Sequence, residues 1–180
     1  GPLLALYRAV REAPGIRHAL VASGVRHDLA LAAPGYLQEL VRHHVGGHLH
    51  VAPEHDDPDV LRLARKPPYA LFEQFQEQFA AACRAAGVER YLNPYFISGL
   101  PGSTDDRMAA LVRRLRAEGW RPQQVQAFLP TPGTAATAMF HGGVNPDRLS
   151  EPVDMPRALG DRVRQHRLLV EDLPGGHKGR

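Results

Sequence analysis

The sequence predicts an α/β chain with a parallel sheet, because apolar strand-like runs alternate with amphipathic helical stretches in the order strand, helix, strand, helix, strand, helix, strand. A second observation agrees: Gly, Pro and polar residues cluster just after the strands, where ligand chemistry gathers in such sheets. About four strands are too few to close a barrel. The expected architecture is therefore a partial parallel (β/α) barrel with flanking helices, over residues 1–133, followed by an extension, residues 134–180, that is weakly structured or packs on it.

Taken in order, residues 3–12 have helical spacing and stop before Pro14-Gly15. Residues 18–23 are a short apolar run closed by Gly24, which reads as a strand buried on both faces. Residues 36–44 return to a helical period, with Leu37, Leu40, Val41 and His44 on one side and Gly46-Gly47 at the end. Residues 48–52 form the second strand, stopped by Pro53. Asp57 or Asp59 caps a short helix carrying Val60, Leu61 and Leu63, which breaks at Pro67-Pro68.

The longest predicted helix covers residues 69–86, with Phe72, Phe75 and Phe79 at spacings of three and four and Gly87 as its stop. A third strand, residues 90–98, runs into Gly99-Leu100-Pro101-Gly102. Ser103 or Thr104 caps the next helix, to residue 118, with Asp105 and Asp106 in its first turn complementing the helix dipole. Residues 123–129 are the fourth strand. Beyond Pro130 the expectations are a helix around residues 157–164 and a short strand near residues 167–170.

Composition narrows the function classes. The 180 residues are 43% hydrophobic and 23% charged, ordinary values for a globular chain with a real core. Arginines spread along the sequence, not blocks of like charge, give the net charge of +3, so nucleic acid binding is not indicated. No apolar stretch approaches the ~20 residues of a membrane span, and the first residues lack the regions of a signal peptide. A cytoplasmic location is the default expectation. The single cysteine, Cys83, excludes an internal disulfide and a cysteine-only metal site made by this chain, and its apolar helical context reads as a small core residue.

Five segments together resemble YgiQ-type radical SAM proteins: Ser23-Gly-Val-Arg-His-Asp-Leu29; His43-His-Val-Gly-Gly47; Val51-Ala-Pro-Glu-His55 with Lys66-Pro67; Tyr95-Phe-Ile-Ser-Gly-Leu-Pro-Gly102; and Gln124-Val-Gln-Ala-Phe128 with Pro130-Thr-Pro132. The resemblance implies the later part of a radical SAM barrel, which binds S-adenosylmethionine (SAM) beside a [4Fe-4S] cluster and generates a 5'-deoxyadenosyl radical that acts on an unknown substrate. The three cysteines of CxxxCxxC are absent from this sequence. The cluster is accordingly expected from a missing N-terminal segment, with this chain inactive alone, and either that segment or a second copy is expected to pair with the exposed edge strand. Leu100 stands where YgiQ-type members usually have His.

On this resemblance Glu54 accepts from the SAM ammonium and Lys66 pairs with its carboxylate. Arg26 and Ser23 reach toward the same cofactor, the turn at Gly99, Pro101 and Gly102 offers backbone N–H groups to an anion or the adenosine side, and Gln126 hydrogen-bonds SAM or substrate. Plainer readings stand beside these: a helix cap for Glu54, a solvated Lys66, a surface ion pair for Arg26, a simple turn at Gly99 to Gly102. Two other function classes stay open. His48-Leu-His50, with His43, His44, His55 or His141, has the spacing of a metal-dependent hydrolase site, and a non-catalytic binding module derived from the barrel needs no cluster.

Overall fold

The computed structural model describes residues 1–121 and 124–171. In chain order the elements are α1 (Pro2–Glu12), α2 (His27–Leu31), α3 (Tyr36–Glu39) continued by a π-helical turn (Leu40–His44), β1 (His48–Glu54), α4 (Pro58–Leu63), α5 (Tyr69–Ala86), β2 (Tyr91–Ser98), α6 (Asp105–Ala117), β3 (Gln124–Ala127), α7 (Ala135–Gly142), β4 (Val144–Asn145), β5 (Arg148–Pro152) and α8 (Leu159–Glu171). A three-stranded sheet has the order β1-β2-β3, and β4 with β5 makes a separate hairpin. The chain divides into two compact units, Gly1–Ala52 with Ala70–Pro94, and Pro53–Tyr69 with Tyr95–Arg180.

In the first unit α1 begins with a proline in its first turn, where the missing N–H costs nothing. None of its residues is buried; it is tied down by Arg8 and Arg11, which both donate to Glu39 at 3.0 Å. Residues 36–44 are helical as expected, with Tyr36, Leu37, Leu40, Val41 and His44 buried. Along β1, Leu49 and Val51 are fully buried while His48 is exposed and His50 half-buried, the alternation of a pleated strand. Phe72, Phe75 and Phe79 bury one side of α5, and the His27 ring meets Phe72 and Phe75 edge-on at 5.9 and 6.4 Å. Each such phenylalanine contributes roughly 1.5–3 kcal/mol of apolar burial. Cys83 is buried among these side chains' helix.

One expected strand is absent. Residues 18–23 form no strand, and the sheet has three strands where four were expected. A strand buried on both faces needs a ladder partner and a cover, and this run has neither: Leu20 is 53% exposed. Its backbone is attached at isolated points, by Val21 N–H to the His44 carbonyl (2.9 Å) and by the Ala19 carbonyl, 2.6 Å from His44 Nδ1, and just beyond it by Val25 N–H to the His50 carbonyl (3.0 Å) and a single parallel bridge between Val25 and Val51.

In the second unit Asp57, not Asp59, caps α4, accepting from the N–H groups of Asp59 and Val60. Parallel pairing of β2 with β3 runs from Tyr95 opposite Gln124 to Ser98 opposite Ala127. The fourth expected strand is thus present over Gln124–Ala127, and Gln123 lies outside the described residues. Thr104 caps α6, whose Met108, Leu111, Val112 and Leu115 are buried at helical spacing. The extension carries α7, the β4–β5 hairpin and α8 as far as residue 171, and residues 172–180 lie outside the described set. Residues 167–170 belong to α8 and are not a strand. Gln165 and Leu169 are both buried, four residues apart, which is a helical period that a strand cannot satisfy on one face. No helix among the described residues is long and apolar enough to cross a membrane.

Candidate functional site

The end of β1 carries an unusual backbone. Glu54 has φ +68°, and the His55 N–H donates to the Pro53 carbonyl at 2.9 Å, closing a three-residue turn around Glu54. A turn of this kind with positive φ is rare and strained for an L residue. Its result is to hold the Glu54 side chain, 9% exposed, against Lys66, whose Nζ donates to Oε1 at 2.9 Å. His55 stiffens the loop that follows. Its buried Nδ1 accepts from the N–H groups of Asp56 and Asp57, both at 3.0 Å, which places the ring proton on Nε2.

Lys66 is set from the other side by the end of α4. Lys66 N–H donates to the Leu61 carbonyl (2.8 Å) and Arg65 N–H to the Arg62 carbonyl (3.0 Å), a Schellman closure with Arg65 at φ +54° in the position glycine usually takes. Glu54 itself and Arg65, the residue before Lys66, are thus both left-handed, non-glycine positions. The Lys66 side chain is 38% exposed, so a ligand can reach the pair. A carboxylate and an ammonium at this distance can exchange their mutual contact for the two ends of an amino acid, its ammonium on Glu54 and its carboxylate on Lys66.

Other residues expected at the site have other engagements. Gly102 has φ +81°, a conformation that favours glycine, and a Cβ there would sit 2.8 Å from Leu63 Cδ1, so a larger residue is strained and must displace that side chain. Its N–H, expected to face an anion, donates to the Asp154 carbonyl at 2.8 Å instead, because the segment between β5 and α8 runs past this turn. Gly99 also has positive φ, and Pro101 is buried. Gln126 is exposed, and its carbonyl accepts from the buried Ser98 hydroxyl at 3.4 Å.

Ser23 and Arg26 belong to the first unit. Ser23 is exposed, and Arg26 forms a two-pronged ion pair with Asp28 (2.8 and 2.6 Å), whose hydrogen bonding holds the Asp28 carboxyl below the usual carboxylate range. Here the plain surface-pair reading describes Arg26. The His48 ring lies on Tyr91, 5.5 Å between centroids, and His50 Nδ1 is 3.2 Å from the Asn93 amide. Among the described residues no three His, Cys, Asp or Glu side chains come together as a metal site. Sequence reading missed the left-handed backbone at Glu54 and Arg65, for which neither residue type gives a signal. It also missed α7 and the β4–β5 hairpin, although Thr134 as a cap and Asn145-Pro146 as a turn were legible.

A family model described as "Domain of unknown function (DUF3362)" matches residues 123–171. A UPF0313 protein of Rhodopseudomonas palustris is 48% identical over 173 residues, 93% of this chain and 25% of its own length. Counterparts in Bradyrhizobium diazoefficiens and Vibrio vulnificus are 51% identical over 146 residues and 43% identical over 169 residues, covering 81% and 92% of this chain and 22% of each relative. The chain thus spans about a quarter of the length of these curated relatives.

Proposed function

Since the chain is of the YgiQ type, with UPF0313 proteins 43–51% identical over most of its length, we propose that it contributes the SAM-binding strand ends of a radical SAM enzyme and that its sheet is part of a partial (β/α) barrel. The observation that carries this reading is the Glu54–Lys66 pair, a strained carboxylate at the carboxyl end of β1 opposite an accessible ammonium. SAM has a matching ammonium and carboxylate at one end, and these two side chains bind and orient that end. A turn that is costly for glutamate and persists is a sign of a constrained functional position.

The residues present fit SAM and do not fit an iron-sulfur cluster. Such a cluster needs three thiolates, and Cys83, the sole cysteine, is buried in α5 with its thiol pushed up by desolvation. Cluster ligands belong, on this reading, to a segment outside these 180 residues, which is also the partner proposed here. In the enzyme, bound SAM supplies one-electron cleavage chemistry. The part of Glu54 and Lys66 is to fix its amino-acid end, and the exposed Gln126 stands at the carboxyl end of β3 as a donor or acceptor for SAM or substrate. A cytoplasmic site of action is part of the same proposal.

Isothermal titration of SAM into the chain tests the reading. One molecule of SAM should bind per chain, at least tenfold more weakly in Glu54→Gln and in Lys66→Gln. Unchanged affinity in both folded variants would remove the assignment.

A further inference from the structure

Within the second unit a pocket of about 210 Å³ opens between the last turn of α4, the start of α7 and the turn joining β4 to β5. Its floor is apolar. Leu63 and Met139 line it, both buried and packed in one cluster with Val153. Its rim is basic, with Arg62, Arg65 and Arg148 beside one acid, Asp147.

The rim is held in place by a chain of polar contacts. Arg62 donates to Glu151 Oε1 at 2.5 Å, and the other Glu151 oxygen accepts from the Asn145 amide at 2.9 Å. That hydrogen bonding, from Arg62 first, holds the Glu151 carboxyl below the usual carboxylate range. Asn145, 6% exposed, uses its own oxygen to accept the Asp147 N–H at 3.0 Å, which fixes the hairpin turn. Arg65 spans both oxygens of Asp147 at 3.0 and 2.8 Å. Arg62 is held by Glu151 and also lies 3.7 Å from Asp59, and Arg65 is taken up by Asp147, which leaves Arg148 as the guanidinium of the rim that makes no ion pair with the described residues.

We propose that this pocket binds a small monocarboxylate with an apolar body, the carboxylate on Arg148 and the hydrocarbon on Leu63 and Met139. The guanidinium fork matches a carboxylate in shape. One guanidinium without an ion pair suits a monoanion, whereas a phosphate dianion would add its second charge beside Glu151 and Asp147. The volume lies below the ~300–1,000 Å³ of sites for drug-sized ligands, so the ligand is small. The α7 and hairpin parts of the pocket fall inside the stretch matched by the domain of unknown function, residues 123–171, and neither Glu54 nor Lys66 lines it.

The test is titration calorimetry of the 180-residue chain with four probes: hexanoate, acetate, hexanol and hexyl phosphate. Hexanoate should bind saturably at one site, at least tenfold more tightly than acetate or hexanol and more tightly than hexyl phosphate. Arg148→Gln, at an exposed side chain, should weaken hexanoate at least tenfold while leaving SAM titration unchanged. Absent hexanoate saturation, indifference to Arg148→Gln, equal binding of acetate or a preference for hexyl phosphate would each overturn the proposal.

Discussion

Replacing Glu54 separates backbone strain from side-chain chemistry at one position. At φ +68° an L residue is disfavoured by roughly 1–2 kcal/mol, and glycine avoids that cost while giving back roughly 0.5–1 kcal/mol through its freer unfolded chain. Glu54→Gly should therefore be more stable than Glu54→Ala by about 0.5–1 kcal/mol, reversing the usual order of these residues in a strand. The ion pair with Lys66, screened because the lysine is 38% exposed, contributes at most about 1 kcal/mol. Glu54→Ala should then lie about 1 kcal/mol below wild type, with Glu54→Gly close to wild type. Urea unfolding followed by circular dichroism, compared at constant m, gives both differences. Neither variant should retain SAM affinity, so the glycine variant should be stable yet unable to bind. If the alanine variant proves the more stable of the two, the strained turn is not present in solution.

Gly102→Ala, which adds both a left-handed penalty and a Cβ 2.8 Å from Leu63 Cδ1, should destabilise more than Gly119→Ala. The latter meets only the backbone penalty, of order 1 kcal/mol, because its Cβ site is open, and thermal unfolding of the two variants gives the comparison. Thr104→Ala removes the side chain that accepts the Arg107 N–H at 3.3 Å and should cost about 1 kcal/mol, with Thr104→Ser near wild type by the same measurement. Glu39 has its pKa depressed, first by hydrogen bonding from Arg8. Its contribution is present above the ordinary glutamate value of roughly 4.3 and is lost as pH falls through the lower folded value. Acid unfolding of Glu39→Gln should lack that acid-range loss, and a pH profile parallel to wild type would refute the linkage. Anaerobic iron-sulfur reconstitution of this chain alone should yield no 5'-deoxyadenosine with reductant and SAM, since only Cys83 can offer a thiolate.

Much of the architecture was legible because helical burial leaves a period in the sequence. Phe72, Phe75 and Phe79 on α5, and Met108, Leu111, Val112 and Leu115 on α6, are spaced as buried helix faces must be. Short apolar runs carry no such information. Residues 18–23 and 167–170 both read as strands, yet one has no ladder and the other is helix, since whether a short run pairs depends on neighbours that its own residues do not specify. At the candidate site, Glu54 and Lys66, both named from the sequence, lie 2.9 Å apart. The means of bringing them together was not legible, because glutamate and arginine give no hint of left-handed backbone. The arginine-lined pocket was equally hidden, as Arg62 and Arg148 lie 86 positions apart and meet only through the hairpin.

The central claim is that Lys66 reads the carboxylate of SAM while Glu54 reads its ammonium, and the affinity ratio between SAM and its decarboxylated analogue addresses it directly. Wild type should prefer SAM at least tenfold, about 1.4 kcal/mol, and Lys66→Gln should bind the two ligands alike. The same preference in wild type and Lys66→Gln, with both proteins folded, would contradict the account.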